Sequence, residues 1–341
     1  MAYTTINKGS SYFNTKLYTG TGATNSVTGV GFQPDWVWIK IRNQTFDHTL
    51  VDAVRGVQKD LESNTTAAED TRSTVTVFGS DGFTVGTDSQ VNSNTNTFVA
   101  WNWLANNTSG SSNTAGSITA TVAANTTSGF SVGKTTGTLT SGTITVGHSL
   151  GVAPSMIFWK RTDGVSNWQV YHKSTGTGLL QLNQTSAVNT SASFWPATSN
   201  ITFSVANNLY GSGETYAFYC FAEVKGYSKF GSYTGNGSAD GTFVYTGFKP
   251  AFIMYKNTAT AGTDWVILDV KRDPYNVATE ELYADLQDAE GTAANNMDIL
   301  SNGFKPRRTN ASVNGSGATI IYMAFAENPF VTSGGIPVTA R

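Results

Sequence analysis

A chain of 341 residues with 21 Lys and Arg against 23 Asp and Glu, and only 13% charged residues overall, carries no field that could steer it onto a phosphate backbone, so nucleic acid is excluded as an expected partner. Thr, Ser, Asn and Gly dominate its polar positions, and solubility therefore rests on hydroxyls and amides rather than on a charged shell. Cys220 is the single cysteine, which excludes a disulfide framework, and no apolar run approaches the ~20 residues needed to cross a bilayer.

The first residues, Met1-Ala-Tyr-Thr-Thr-Ile-Asn-Lys8-Gly9, lack the basic and apolar regions of a secretion signal, which predicts synthesis in a cytoplasm. A first unit opens near Lys16 and Gly20. Its central feature is Gly31-Phe-Gln-Pro34-Asp-Trp36-Val-Trp38-Ile-Lys40, a loop ending in proline, then an apolar and aromatic strand, then a lysine. A polar stretch between Val57 and Arg72 follows, then strands at 75–78 and 83–85 joined by the turn Gly79-Ser-Asp81-Gly82, and a closing run with Phe98, Trp101 and Trp103. Residues 106–116 read as a flexible linker by composition.

The same pattern returns as Gly151-Val-Ala-Pro154-Ser-Met-Ile-Phe158-Trp159-Lys160 and as Gly247-Phe-Lys-Pro250-Ala-Phe252-Ile-Met-Tyr255-Lys256. Each copy again has an aromatic closing run, with Tyr216, Phe218 and Phe221 in the second and Tyr322 and Phe325 in the third. Strands at 118–122 and 130–132 precede the second copy, and a short join at 226–230 leads into the third, so the second and third units are expected to pack as a pair. The segment 279–288, with Glu280, Glu281, Asp285 and Asp288 beside Leu282 and Leu286, reads as a short surface helix or an irregular crossing. Gly20-Thr-Gly22, Gly235-Asn-Gly237 and Gly315-Ser-Gly317 lie between β segments and read as tight turns rather than phosphate cradles.

The predicted fold is all-β: three tandem antiparallel β-sandwich repeat domains, lectin-like or jelly-roll-like, at 1–105, 117–226 and 227–341, with 106–116 as the linker.

Chemistry-bearing groups are scattered. His48, His148 and His172 form no close metal-ligand spacing, and no metal or cofactor is expected. Asp269, Asp273, Glu280, Glu281 and Asp285 are the carboxylates from which a glycosidase pair would have to come. Asp269 follows Trp265-Val-Ile-Leu268 and falls in register with Tyr171 if Trp168 and Trp265 are equivalent, so an acid is not repeated between units. Cys220 alternates with Phe218 and Ala222 and reads as buried core.

Trp36 with Trp38, and Trp101 with Trp103, are i,i+2 pairs whose rings share one face of a strand, as a core layer or an inter-subunit seam requires. Trp168, Trp195 and Trp265 fall nearer strand ends, where an exposed indole could stack on a sugar ring. Trp168 and Trp265 lie at nearly the same distance after Pro154 and Pro250, which argues for a framework role. Trp195, between Phe194 and Pro196, is the first choice as a glycan platform.

In Trp168-Gln-Val-Tyr-His-Lys173, Tyr219-Cys-Phe-Ala-Glu-Val-Lys-Gly226, Lys229-Phe-Gly-Ser-Tyr-Thr-Gly-Asn-Gly-Ser-Ala-Asp-Gly241 and Tyr322-Met-Ala-Phe-Ala-Glu-Asn-Pro-Phe330, the chain resembles a family of repeated β domains in tail-fibre-like and other virion structural proteins of tailed bacteriophages of marine and freshwater bacteria. The resemblance implies a virion protein assembled in the host cytoplasm, not an enzyme: a tail fibre or spike-like appendage with host-glycan binding, or a capsid decoration protein or head fibre. It also implies other virion structural proteins as partners, and a homo-oligomer, a trimer if it forms a fibre. No catalytic motif comes with it. A polysaccharide-degrading tailspike-type enzyme is the alternative of a different class and would demand two nearby carboxylates in one cleft.

Overall fold

The computed structural model describes residues 4–138 and 142–329. The three proline-led segments form strands Trp36–Ile41, Met156–Arg161 and Phe248–Asn257. Each pairs antiparallel with its closing strand, Thr97–Trp103, Thr215–Phe221 or Thr319–Pro329, and the register is the same in all three: Trp38 opposite Trp101, Phe158 opposite Tyr219, Met254 opposite Met323. An opening strand flanks each closing strand, at Phe13–Thr19, Phe130–Thr136 and Ser228–Thr234. A companion strand flanks each proline-led strand, at Thr49–Asp52, Gln169–His172 and Val266–Asp269. The four-strand order is thus opening, closing, proline-led, companion, three times over.

The protein is all-β, with several antiparallel sheets of which one, eight-stranded, nearly closes on itself. Of the segment 279–288, read as a short surface helix or an irregular crossing, the first half lies in a strand of that sheet, Ala278–Tyr283, and the rest runs as a turn and irregular chain. Leu282 and Ala284 reach the central core, while Glu281 is held by Asn296 and Arg308 rather than by solvent, so tertiary partners override the local helical composition. Within 106–116, Ser111–Asn113 is an edge strand on Ala120–Asn125, and Asp35 Oδ2 ties the approach to it by accepting from the Ala105 and Asn107 amides at 2.6 and 3.0 Å.

Because side chains alternate across a strand, each central sheet has two apolar faces to cover. Outer faces are covered locally: Val37, Ile39 and Phe98 by the small sheet carrying Phe83 and Val85; Ile157, Trp159 and Phe218 by the pair carrying Val146 and Phe203; Ile253, Tyr255 and Tyr322 by the strands carrying Phe304 and Ile299. Inner faces have no local partner. All three converge on one cluster, in which Trp36, Trp38, Trp101 and Trp103 meet Phe130, Phe158, Tyr219 and Phe221 and Phe230, Phe252 and Phe325. The equivalent rings Trp103, Phe221 and Phe325 stand 6.3, 5.9 and 6.1 Å apart pairwise, a nearly equilateral triangle about a pseudo-threefold axis. The first unit therefore packs on both of the others, not only the second on the third.

Burying a shared aromatic core makes the units interdependent. Differential scanning calorimetry is expected to show one cooperative transition, and three resolved transitions would contradict a common core. Trp103→Ala, which removes one corner of the triangle, is expected to cost about 3–5 kcal/mol by denaturant titration.

Candidate functional site

The seams between units are closed by hydrogen bonds that repeat cyclically. Just past each proline-led strand, a carbonyl accepts from the long loop of a neighbouring unit: Glu290 N to Arg42 O at 2.6 Å, Glu69 N to Thr162 O at 2.8 Å, Val188 N to Thr258 O at 2.9 Å. The amides of Phe46, Ser166 and Gly262 donate to Gln287 O, Thr66 O and Thr185 O. The repeated lysines donate to these same three carbonyls, Lys40 at 3.1 Å, Lys160 at 3.0 Å and Lys256 at 3.5 Å, and each also donates to a carbonyl of its own unit. All three lysines are fully buried, and burial pulls their pKa from 10.5 down to about 8.

Trp168 and Trp265 serve the same closure. Their indole N–H groups donate to Glu62 O at 2.8 Å and Gln181 O at 2.9 Å in the preceding unit. His48 holds the equivalent position in the first unit, accepting from Trp38 Nε1 at 2.8 Å and reaching Tyr283 O through Nε2 at 2.9 Å. Burial first, then the nearby Lys40 charge, pushes its pKa down to about 3, and a neutral ring with the proton on Nε2 fits both bonds. Trp195 packs beside Tyr171 in the outer core of the second unit, at 6.1 Å between ring centroids. Trp168, Trp195 and Trp265 are all 1% exposed or less. None presents a ring face to solvent, so the glycan-platform reading of these indoles is corrected by their burial: a stacked sugar needs a free face, and these faces are covered by protein.

The carboxylates are structural too. Register places Asp269 opposite Phe252 and His172 opposite Met156, so Asp269 corresponds to His172 and to Asp52, not to Tyr171. Asp52 accepts from Tyr219 OH at 2.8 Å and pairs with Arg55 at 2.5 Å; Asp269 accepts from Trp101 Nε1 at 3.1 Å and pairs with Arg272 at 2.6 Å. His172, facing the strand that carries Met323, reaches Tyr322 O instead. Asp273 caps Thr279 N, Glu281 is bound by Tyr283 OH and Arg308, and Asp285 accepts from Trp265 N, its carboxyl pushed by burial up to about 7. Burial first, then the neighbouring Glu290, raises Glu280, whereas Arg42 and Arg272 overcome burial and hold Glu290 low. Cys220 is buried, and burial raises its thiol. Among the described residues no cluster of His, Cys, Asp and Glu could hold a metal ion.

The seam between the first and second units is open. It holds a cleft of about 670 Å³, within the usual range for ligand sites. Its floor is Arg55 and Glu69, paired at 3.0 Å. Its wall is the inner face of the second sheet beyond the shared core, with Thr119, Thr121, Lys134, Thr136, Thr162 and Thr215. The overhang exists because only the second unit adds the strands Ala120–Asn125 and Ser111–Asn113 outside its opening strand. At the equivalent seam between the third and first units, Arg42 stands where Thr162 does here and pairs with Glu290 at 2.6 Å. The sequence signal for the cleft was the Thr/Ser-rich run read only as linker and early strand.

Arg272→Met is expected to destabilise the fold by about 3–5 kcal/mol, because Asp269 stays buried without its cation, and the double variant Asp269→Leu/Arg272→Met is expected to recover much of that loss. With pKa values of about 8 in the fold against 10.5 unfolded, each lysine binds fewer protons folded than unfolded across that window, so its contribution to stability grows as pH rises. The stability of the wild type relative to Lys256→Met is therefore expected to improve between pH 8 and pH 10, by up to ~1.4 kcal/mol per pH unit; a flat difference would contradict a depressed lysine.

No curated protein matches the chain. A family described as Domain of unknown function (DUF7483) matches residues 8–329 as one continuous domain that spans all three units and their seams, and the chain belongs to that family.

Proposed function

We propose that this is a non-enzymatic structural protein of a tailed-bacteriophage virion, carried as a tail-fibre or spike-like appendage with host-glycan binding, in which three lectin-like β-sandwich repeats are fused into one body. The observation that carries the reading is the cyclic closure. His48, His172, Asp269, the repeated lysines and the indoles of Trp168 and Trp265 are committed to holding the units together, while Asp273, Glu281 and Asp285 are bound within the third unit, which suits a rigid building element and leaves these acids occupied by structural partners. The sequence resemblance to phage virion repeat proteins and the low-charge surface of hydroxyls and amides point the same way. Such a surface favours close association with other virion proteins and with further copies of the chain, a trimer in a fibre.

Cryo-electron reconstruction of intact particles, with this chain traced in the density, tests the proposal. Density on the tail, in threes at the baseplate or nozzle, is expected. Density across the capsomers would replace the appendage by a capsid decoration or head fibre, and absence from purified particles would overturn the virion reading. Incubation with host capsule or lipopolysaccharide is expected to release no oligosaccharide fragments; release would restore the tailspike-type enzyme.

A further inference from the structure

We infer that the cleft between the first and second units is a carbohydrate groove that takes a polyhydroxylated glycan chain. The inference rests on the host-glycan part of the reading above and gives it a place that the buried tryptophans do not.

The wall is built by strand alternation. Ile118 and Ala120 turn into the outer core, while Thr119 and Thr121 turn to the cleft. On the next strands Thr136 lies directly opposite Thr215, and Thr215 Oγ1 meets Thr162 Oγ1 at 2.6 Å. Three neighbouring strands thus present a row of hydroxyls at strand spacing, about 4.8 Å, a ladder for a chain that carries hydroxyls along its length. Threonine also offers a methyl group beside each hydroxyl, which matches the alternating C–H and O–H surfaces of a sugar. Glu69, half-buried at the floor, supplies carboxylate acceptors of the kind that hold vicinal diols, and Arg55 at 3.0 Å fixes it in place.

Other ligand classes fit less well. A peptide partner would want an apolar anchor pocket, yet the apolar liners Ile118, Ala120 and Tyr216 are all buried. A phosphorylated ligand would want several uncommitted cations, but Arg55 is already bound by Asp52 and Glu69. Lys134, exposed on the same wall, can meet one carboxylate of an acidic sugar.

The chain carries its own template for closing the cleft. Glu69 and Glu290 are equivalent: each donates its amide to the carbonyl past a proline-led strand and pairs with a buried arginine at 3.0 Å. Thr162→Arg therefore reproduces the Arg42–Glu290 pair at the open seam and fills the floor, and Thr121→Tyr occludes the wall with a residue that strands accept. The full chain and both variants would be applied to an array of immobilised bacterial capsular and O-antigen polysaccharides, and the fragment of the strongest binder titrated by calorimetry. Expected are binding by the wild type and at least a tenfold loss in both variants, with melting temperatures unchanged. Wild-type binding that survives in folded Thr162→Arg and Thr121→Tyr places the glycan elsewhere and overturns the inference. No binding by the wild type to any polysaccharide also overturns it, while the location on the particle, read from density, stands or falls separately.

Discussion

The triangle of Trp103, Phe221 and Phe325 is the constraint from which the rest of the architecture follows. A sheet that buries one face locally and leaves the other apolar must find a second cover, and here each sheet finds two others like itself. Three equivalent faces meeting at one axis fix the angles between units. That in turn fixes which loop crosses which strand end, and the backbone bonds at Arg42, Thr162 and Thr258 close in the same cyclic sense. A chain so fused needs few surface ion pairs for its integrity. This is consistent with 13% charged residues, several of which are spent inside the seams.

The seams show how a repeated position can change chemistry and keep its job. His48 is an imidazole where Trp168 and Trp265 are indoles, yet each of the three brings one ring N–H to a carbonyl of the neighbouring unit. At the next equivalent site the choice follows the partner. Where the facing strand offers a phenol or an indole, an aspartate accepts, at Asp52 and Asp269; where it offers Met323, an aspartate would lie buried without that bond, and His172 reaches the backbone instead. The arginines that complete the two aspartate sites, Arg55 and Arg272, donate to Leu50 O and Ile267 O in the same way. The second unit, with histidine there, has Thr175 at that position.

Much of the strand inventory was legible in the sequence because period-two patterning, the proline-led starts and the aromatic closing runs are local signals. The i,i+2 tryptophans reported a core layer, and Gly22, Gly237 and Gly317 adopt φ near +70°, as tight turns require. Alternation says that a face is buried without saying by what, so the common core was not readable, nor was the strand at Ala278–Tyr283, whose acidic residues find partners far along the chain. The equivalence of His48 was present as arithmetic: it lies 14 residues after Pro34, as Trp168 does after Pro154. It was hidden because the repeat preserves a donor rather than a residue type. Trp195 misled for the opposite reason, since a ring without a counterpart in the other units suggested a surface feature but fills the outer core of the second.

Pseudo-symmetry also explains why an opening arises where it does. Three identical seams would be equally closed; all three carry the same backbone bond past the proline-led strand, and at one of them Arg42 adds an ion pair with Glu290. At the seam between the first and second units there is no such arginine, and extra strands extend the sheet past the reach of the first unit. Its exposed face cannot be apolar without inviting aggregation, nor densely charged without unbalancing a seam in which Arg55 is already neutralised by Asp52 and Glu69. Threonine meets both limits, since it favours strands and offers hydroxyls without charge. The hydroxyl-lined cleft is therefore where the repeat departs from its own symmetry, and a repeat protein can gain a binding surface there without disturbing the core that holds it together.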